Sequence, residues 1–271
     1  MSLWQALVLG ILQGATEFLP ISSSGHLILV PWWFNLTKPP LVFDVVVHLG
    51  TLMAVLSYFW RDWHKLLQAG FHALRHRTAS EPEARLLWLI VLGTLPAALA
   101  GILLQDLFET TLSDPPLVAS FLIVTAFVLV FSERAHNSSR TLTDLRVNDA
   151  LVVGSAQALA IFPGLSRSGS TIAAGLVRGM SRPTAARFSF LLSAPIILGA
   201  GAKQGYDLLV GGEHISQGMI VPLVVGFLAA LVVGYLCIWG LLRLLQQRRL
   251  YGFAAYCAMF GTLSLLVALF A

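Results

Sequence analysis

Apolar residues run in long blocks along this chain, and polar residues gather in short segments between them. No Asp, Glu, Lys or Arg occurs in the 20 positions between Arg85 and Asp106, the 18 between Asp114 and Glu133, the 28 between His214 and Arg243, or the 22 after Arg249. About 20 helical residues, rising 1.5 Å each, cross a bilayer core. Six segments read as spans: Leu41 to Trp60, Leu86 to Gln105, Pro116 to Ser132, Thr184 to Tyr206, Met219 to Leu242 and Leu250 to Ala271. The strand alternation of a barrel is missing. The expected fold is therefore an all-α polytopic membrane protein, because lipid offers backbone polar groups no partner outside their own helix or a closed barrel.

Two further apolar stretches are broken at their middles. Leu3 to Pro31 contains Glu17, Pro20, three serines, Gly25 and His26, and Ala150 to Met180 contains Pro163, Gly164 and Arg167 flanked by two serines. Such breaks survive at membrane depth where protein or a water-filled cavity covers the backbone, so both read as re-entrant helix-loop-helix hairpins. They align without a gap at an offset of 144 residues: Gly10, Gln13, Phe18, Ser22, Ser24, Gly25 and Ile28 match Gly154, Gln157, Phe162, Ser166, Ser168, Gly169 and Ile172. Seven identities in 22 positions argue for an internal duplication rather than convergence on polar breaks. The reading is a single integral membrane domain, residues 1–271, with repeat halves of approximately 1–132 and 149–271.

Lys and Arg near the spans set an orientation. One side receives Arg61, Lys65, Arg75, Arg77, Arg85, Arg134, Arg140, Arg146, Arg178, Arg182, Arg243, Arg248 and Arg249, and the other only Lys38 and Lys203. The first side is expected to be cytoplasmic. Both termini and the loops holding Asp106, Glu109, Asp114, Asp207 and Glu213 then lie outside. The first hairpin enters from outside and the second from the cytoplasm, giving halves of inverted topology whose tips meet near the midplane. The polar stretch Arg61 to Arg85, with Leu66, Leu67, Phe71 and Leu74 among basic residues, resembles a helix lying on an anionic leaflet.

Composition agrees: 57% of residues are hydrophobic and 11% charged, where a soluble domain carries roughly 25% charged residues. The net charge of +4 sits in segments flanking apolar runs, which argues against nucleic acid as a partner. Cys237 and Cys257 fall inside apolar runs and read as small buried hydrophobes. His64, His72 and His76 read as residues of a solvated face rather than metal ligands. The N-terminus lacks a basic leader and cleavage site, so the first apolar segment is expected to be retained.

The candidate chemistry lies in the two breaks. Gln13 and Glu17 are spaced i, i+4, so a helix places both on one face just before Pro20. A carboxylate inside a membrane segment is costly unless paired or hydrated, which makes Glu17 a functional candidate, with a structural ion pair to Arg167 as the competing reading. Ser22, Ser23, Ser24, Gly25 and His26 offer hydroxyls, flexible N–H groups and an imidazole: a phosphate cradle with a base attached, or helix caps. Arg167, between Ser166 and Ser168 and followed by Thr171, is a planar bidentate donor suited to phosphate oxygens. A divalent cation on Gln13 and Glu17 with an anion on Arg167 would satisfy the group jointly, which points to phosphoryl chemistry. Asp44 and His48, with Gln157, either support this site from behind or, for Asp44 and His48, hydrate the outer end of their span. Ser23 attacking phosphorus with His26 as base is the favoured mechanism; direct attack by His26 or by water stays open.

The motifs Gln13-x-x-x-Glu17, Phe18-Leu-Pro-Ile-Ser-Ser-Ser-Gly-His26, Pro163-Gly-Leu-Ser-Arg-Ser-Gly-Ser-Thr171 and Arg187-Phe-Ser-Phe-Leu-Leu-Ser-Ala-Pro195 resemble, over essentially the whole chain, the bacitracin-resistance type of undecaprenyl pyrophosphate phosphatase. The resemblance implies a hydrolase of the bacterial plasma (inner) membrane that converts undecaprenyl pyrophosphate to the monophosphate carrier for peptidoglycan synthesis. It also implies Mg²⁺ or Ca²⁺ dependence and bacitracin resistance, and the topology read from the Lys and Arg distribution places the active site facing outside. By position the acidic motif falls on Gln13 and Glu17, the Ser and His on Ser23 and His26, and the phosphate-binding arginine on Arg167; Gln at position 13 means that metal coordination cannot rest on two glutamates. The expected partners are the polyprenyl pyrophosphate lipid and the membrane, with a homodimer admitted. The competing function is a transporter or flippase of an anionic polyprenyl lipid, since inverted repeats with broken helices are common in transporters.

Overall fold

The computed structural model describes residues 1–36, 39–76, 81–103, 114–210 and 217–270. Lys38, Arg77, Asp106, Glu109 and Glu213, which entered the orientation argument, lie outside the described residues. Among the described residues the chain forms eleven α-helices, two single-turn 3₁₀ segments and one isolated bridge, Arg140 to Met180. The helices are α1 (Leu3–Phe18), α2 (Ser23–Trp33), α3 (Leu41–Tyr58), α4 (Trp60–His76), α5 (Pro82–Leu103), α6 (Pro115–Ala135), α7 (Val147–Leu159), α8 (Arg167–Val177), α9 (Arg182–Val210), α10 (Ile220–Leu244) and α11 (Tyr251–Phe270). Six of them, α3, α5, α6, α9, α10 and α11, are long and apolar enough to cross a membrane, and each overlaps one of the six expected spans, whose ends at Gln105 and Ala271 lie outside the described residues.

Local chemistry explains where the helices start. Ser2 forms a capping box with Gln5: its Oγ accepts from the Gln5 N–H at 3.1 Å, and the Gln5 side chain accepts from the Ser2 N–H at 3.0 Å. Asp114 caps α6 ahead of two prolines, which occupy first-turn positions that need no intrahelical donor. The polar stretch after α3 is helical through His76. Leu66, Ala69, Gly70 and Ala73 form the buried face of α4, while Leu67, Phe71 and Leu74 are exposed beside Lys65 and Arg75. His64, His72 and His76 are exposed, as expected of a solvated face.

Element order repeats. The series α1, α2, α3, α5, α6 is followed by α7, α8, α9, α10, α11, and α2 and α8 span the same positions once 144 is subtracted from the second. Among the described residues α4 has no counterpart. Packing crosses between the two series: α1 and α3 pack on α10, while α7 and α9 pack on α5. The α1–α10 approach depends on Gly10, where a Cβ would come within 2.5 Å of the Gly226 carbonyl oxygen. At the offset position, Gly154 brings α7 against the Gly93 backbone of α5. Without side chains between them, backbones pack closely and dispersion contacts hold the helices in a solvent as apolar as themselves.

The polar ends are tied by arginines. Asp149, fully buried, pairs with Arg140 at 2.6 Å and Arg178 at 2.7 Å, and Glu133 accepts from Arg182 and from the Leu250 N–H at 2.8 Å. The Asp149 carboxylate holds the Arg140 guanidinium above its ordinary pKa through a direct hydrogen bond.

Candidate active site

Both breaks contain a proline and close on a serine cap. Pro20 ends α1, and Ser22, held at φ 70°, starts α2 by accepting from the Gly25 N–H at 3.3 Å. Pro163 and Gly164 lie between α7 and α8, and Ser166 caps α8 by accepting from the Gly169 N–H at 3.0 Å. Gly164 has φ 95°, and a side chain there would strike the Val118 carbonyl, so only glycine fits. A left-handed serine at position 22 costs energy that the surrounding packing must hold in place.

The two breaks touch. Ser168 Oγ donates to the Leu19 carbonyl at 2.9 Å, a Cβ on Gly25 would lie 3.3 Å from Gly164 Cα, and one on Gly169 would lie 3.5 Å from Pro20 Cβ. The N-termini of α2 and α8 are thereby brought to one place, where free backbone N–H groups and helix dipoles favour an anion.

Glu17 is the hub. It is 7% exposed; its Oε2 accepts from Ser23 Oγ at 2.6 Å and from Gln13 Nε2 at 3.0 Å, and its Oε1 pairs with Arg167 Nη2. His48 Nε2 stands 3.9 Å from Oε2, and its Nδ1–H donates to the Asp44 carbonyl at 2.7 Å. Two polar atoms beside this hub are buried and have no hydrogen-bond partner among the described residues: Arg167 Nη1, a donor, and Gln13 Oε1, an acceptor. Leaving such groups unmatched costs about 1–3 kcal/mol each, more for the charged one. An anion at the first and a cation at the second would satisfy both.

His26 sits elsewhere than expected. It is 1% exposed, its Nδ1–H donates to the Ser22 carbonyl at 2.7 Å, and its Nε2 meets Tyr256 Oη at 2.7 Å. Phe260 stacks on the imidazole with centroids 4.7 Å apart and planes 9° apart. The expected Ser23–His26 pair is therefore replaced. The Ser23 hydroxyl faces Glu17, because the carboxylate on the preceding helix projects toward the first turn of α2 while the imidazole turns back toward α11.

Several hydroxyls expected at a phosphate cradle have partners within the protein. Ser22 and Ser166 are helix caps, Ser168 ties the two breaks together, and the buried Thr171 hydroxyl bonds the Arg167 carbonyl at 2.8 Å and Ser189 Oγ at 2.6 Å. These contacts occupy part of the hydrogen-bonding capacity of those four hydroxyls, each of which has one donor and two acceptor positions. Ser24 contacts Ser22 at 3.3 Å and remains half-buried at the first turn of α2. Gln157 is buried with neither amide atom partnered among the described residues, and no hydrogen bond there joins it to Glu17 or Arg167. Tyr256 was invisible to the sequence reading, lying in an apolar run. Its signal was a phenol in a span, spaced i, i+4 from Phe260, where an O–H needs a partner.

The described residues hold no group of three or more His, Cys, Asp or Glu side chains suited to a metal. The Glu17 carboxylate and the unmatched Gln13 amide oxygen would, with oxygens of a bound phosphate, make a donor set of the kind that holds Mg²⁺.

Residues 6–263 match the family model described as bacitracin resistance protein BacA. The chain is 45% identical over 269 residues to the undecaprenyl-diphosphatase of Desulforudis audaxviator, covering 99% of each chain. It is 47% identical to that of Thermomicrobium roseum, covering all of both chains, and 41% identical to that of Methanosphaera stadtmanae, covering 97% of each.

Proposed function

The chain belongs to the bacitracin resistance protein BacA family, and from that membership and its site we propose that it hydrolyses undecaprenyl diphosphate to undecaprenyl phosphate and inorganic phosphate. It is a multi-pass membrane hydrolase, and its activity returns the lipid carrier to cell-wall synthesis and removes the form that bacitracin captures. Nothing in the comparisons supports the transporter reading. The observation that carries the mechanism is the pair of unmatched atoms on the two side chains that bond Glu17, a guanidinium N–H of Arg167 and the amide oxygen of Gln13, which a phosphate and a divalent cation would complete.

In the proposed reaction the terminal phosphate lies between Arg167 Nη1 and the N-termini of α2 and α8. Glu17 takes the Ser23 proton over the 2.6 Å hydrogen bond, and Oγ attacks phosphorus. The anhydride P–O bond breaks, with its electron pair leaving on undecaprenyl phosphate. Protonating Glu17 weakens its hold on Arg167, which frees the guanidinium for oxygens whose charge is growing. Water then attacks the phosphoserine, phosphate departs, and Glu17 returns its proton to Ser23. The final acceptor of that water's proton is His26. Gln13 and Glu17 would hold Mg²⁺ or Ca²⁺, which supplies charge neutralisation on the diphosphate.

We also read α1–α2 and α7–α8 as re-entrant hairpins of two halves, residues 1–132 and 149–271, with inverted topology. The matching helix order, the 144-residue offset and the crossed packing support this. The Arg-rich segments then face the cytoplasm and the site opens outward. The direct test is phosphate release from undecaprenyl diphosphate by purified protein in detergent, with and without chelator. No release at any metal concentration would refute the reading.

A further inference from the structure

His26 has no open nitrogen. Nδ1–H is bound to the Ser22 carbonyl, which can only accept, so the ring is held as the Nδ1–H tautomer and its basic lone pair is on Nε2. That lone pair points at Tyr256 Oη, 2.7 Å away, and the phenol must be the donor in this contact. The imidazole is nearly sealed, at 1% exposure, with the Tyr256 and Phe260 rings lying almost parallel to it at 8° and 9°. Tyr256 is only partly buried. Its neighbour Cys257 donates to the Pro20 carbonyl at 3.6 Å, which places this turn of α11 against the first break.

We propose that Tyr256 is the proton-relay residue of the reaction, and that His26 acts on water through it. The inference rests on the reading of His26 as base given above. In the relay, attacking water gives a proton to Tyr256 Oη as Oη gives its own to His26 Nε2. The ring becomes an imidazolium with both N–H groups satisfied, Nδ1–H by the Ser22 carbonyl and Nε2–H by the phenol oxygen. The hydroxide formed adds to phosphorus, and the proton returns along the same path once phosphate has left. A phenol suits the position because its oxygen both donates and accepts, so the one contact serves the neutral ring and the charged ring alike. Phenylalanine keeps the ring stacking and removes both roles.

The test compares Tyr256→Phe, His26→Ala and the double variant in purified, folded form, with equal melting temperatures required of wild type and Tyr256→Phe. The relay requires Tyr256→Phe to lower kcat by about 10²-fold with KM unchanged, in the range of general-base contributions. The double variant should be no slower than His26→Ala, and the proton inventory in H₂O–D₂O mixtures should be curved for wild type and linear for Tyr256→Phe. Wild-type kcat in Tyr256→Phe, or losses that multiply in the double variant, would overturn the relay and leave a packing contact. If His26→Ala itself keeps full kcat, the reading of His26 as base fails instead, and the two failures are told apart.

Discussion

Ser23 Oγ donates to Glu17 Oε2 at 2.6 Å, across the break between the first two helices. A serine hydroxyl is a weak nucleophile unless a base takes its proton, and in the proposed reaction that base is the carboxylate on the preceding helix rather than the histidine in the next turn. The pairing predicts that Ser23→Ala loses nearly all turnover. Quenching wild type during turnover of substrate labelled in the terminal phosphate should trap an acid-stable, base-labile phosphoenzyme that is absent from Ser23→Ala. Acid-labile label would move the nucleophile to a histidine, and full activity in Ser23→Ala would remove the residue from the mechanism.

Arg167→Lys should lose most activity although its charge is kept. The guanidinium divides its two ends between Glu17 and the unmatched Nη1 direction, and a lysine ammonium cannot present a planar fork to both. A fall in kcat of about 10²–10³-fold, of the size seen when a donor to developing charge is removed, is the expected result. Turnover near that of wild type would contradict the phosphate assignment.

Much of this arrangement was legible beforehand, and the reasons differ by residue. The six spans followed from the absence of charge, which is a property of the whole segment and tolerates errors of a few residues at each end. The breaks followed from Pro20, Pro163 and Gly164, whose backbone restrictions are local. Partner choice was not legible. Whether Ser23 faces Glu17 or His26 depends on the left-handed turn at Ser22 and on how α11 packs, and a hydroxyl capping its own helix looks in sequence like one poised for a ligand. The repeat is also asymmetric in its chemistry: Glu17, Ser23 and His26 fall opposite Ile161, Arg167 and Ser170. In the proposed mechanism one half supplies base and nucleophile and the other the arginine, a division already present in the sequence of the two breaks.

Metal use should respond to the Gln13–Glu17 pair in opposite directions. Glu17→Gln removes the carboxylate and should weaken the apparent divalent-metal requirement constant by at least ten-fold. Gln13→Glu adds a second carboxylate where an unmatched amide oxygen now lies, and should tighten it. Both are read from activity against free Mg²⁺ and Ca²⁺ and from metal binding measured without substrate. Unchanged metal titrations in both variants would place the cation elsewhere and leave Glu17 as base and partner of Arg167.

Orientation can be read with single cysteines in a Cys237→Ala/Cys257→Ala background. Asn35→Cys, just past α2, should react with an impermeant maleimide on intact cells, while Arg75→Cys in α4 should react only after permeabilisation. The reverse pattern would invert the protein and turn the proposed site toward the cytoplasm.

The helix contacts built on glycine give a prediction about stability rather than chemistry. Gly154 rests against the Gly93 backbone, and a methyl group there would strike the Gly93 carbonyl, a rigid part of α5 that cannot rotate away. Gly240, on α10, has open space where its Cβ would be. Gly154→Ala should therefore separate α7 from α5 and cost about 1–3 kcal/mol, the usual penalty for overpacking. Gly240→Ala should be neutral or gain up to about 1 kcal/mol of helix propensity. Denaturation of both variants in the same detergent, followed by tryptophan fluorescence, measures the difference. Because α7 leads into the break that carries Arg167, the Gly154 variant should also lose activity below its melting transition, which the Gly240 variant should not. Equal stability of the two would mean that the close α5–α7 approach does not bear on the position of the second break.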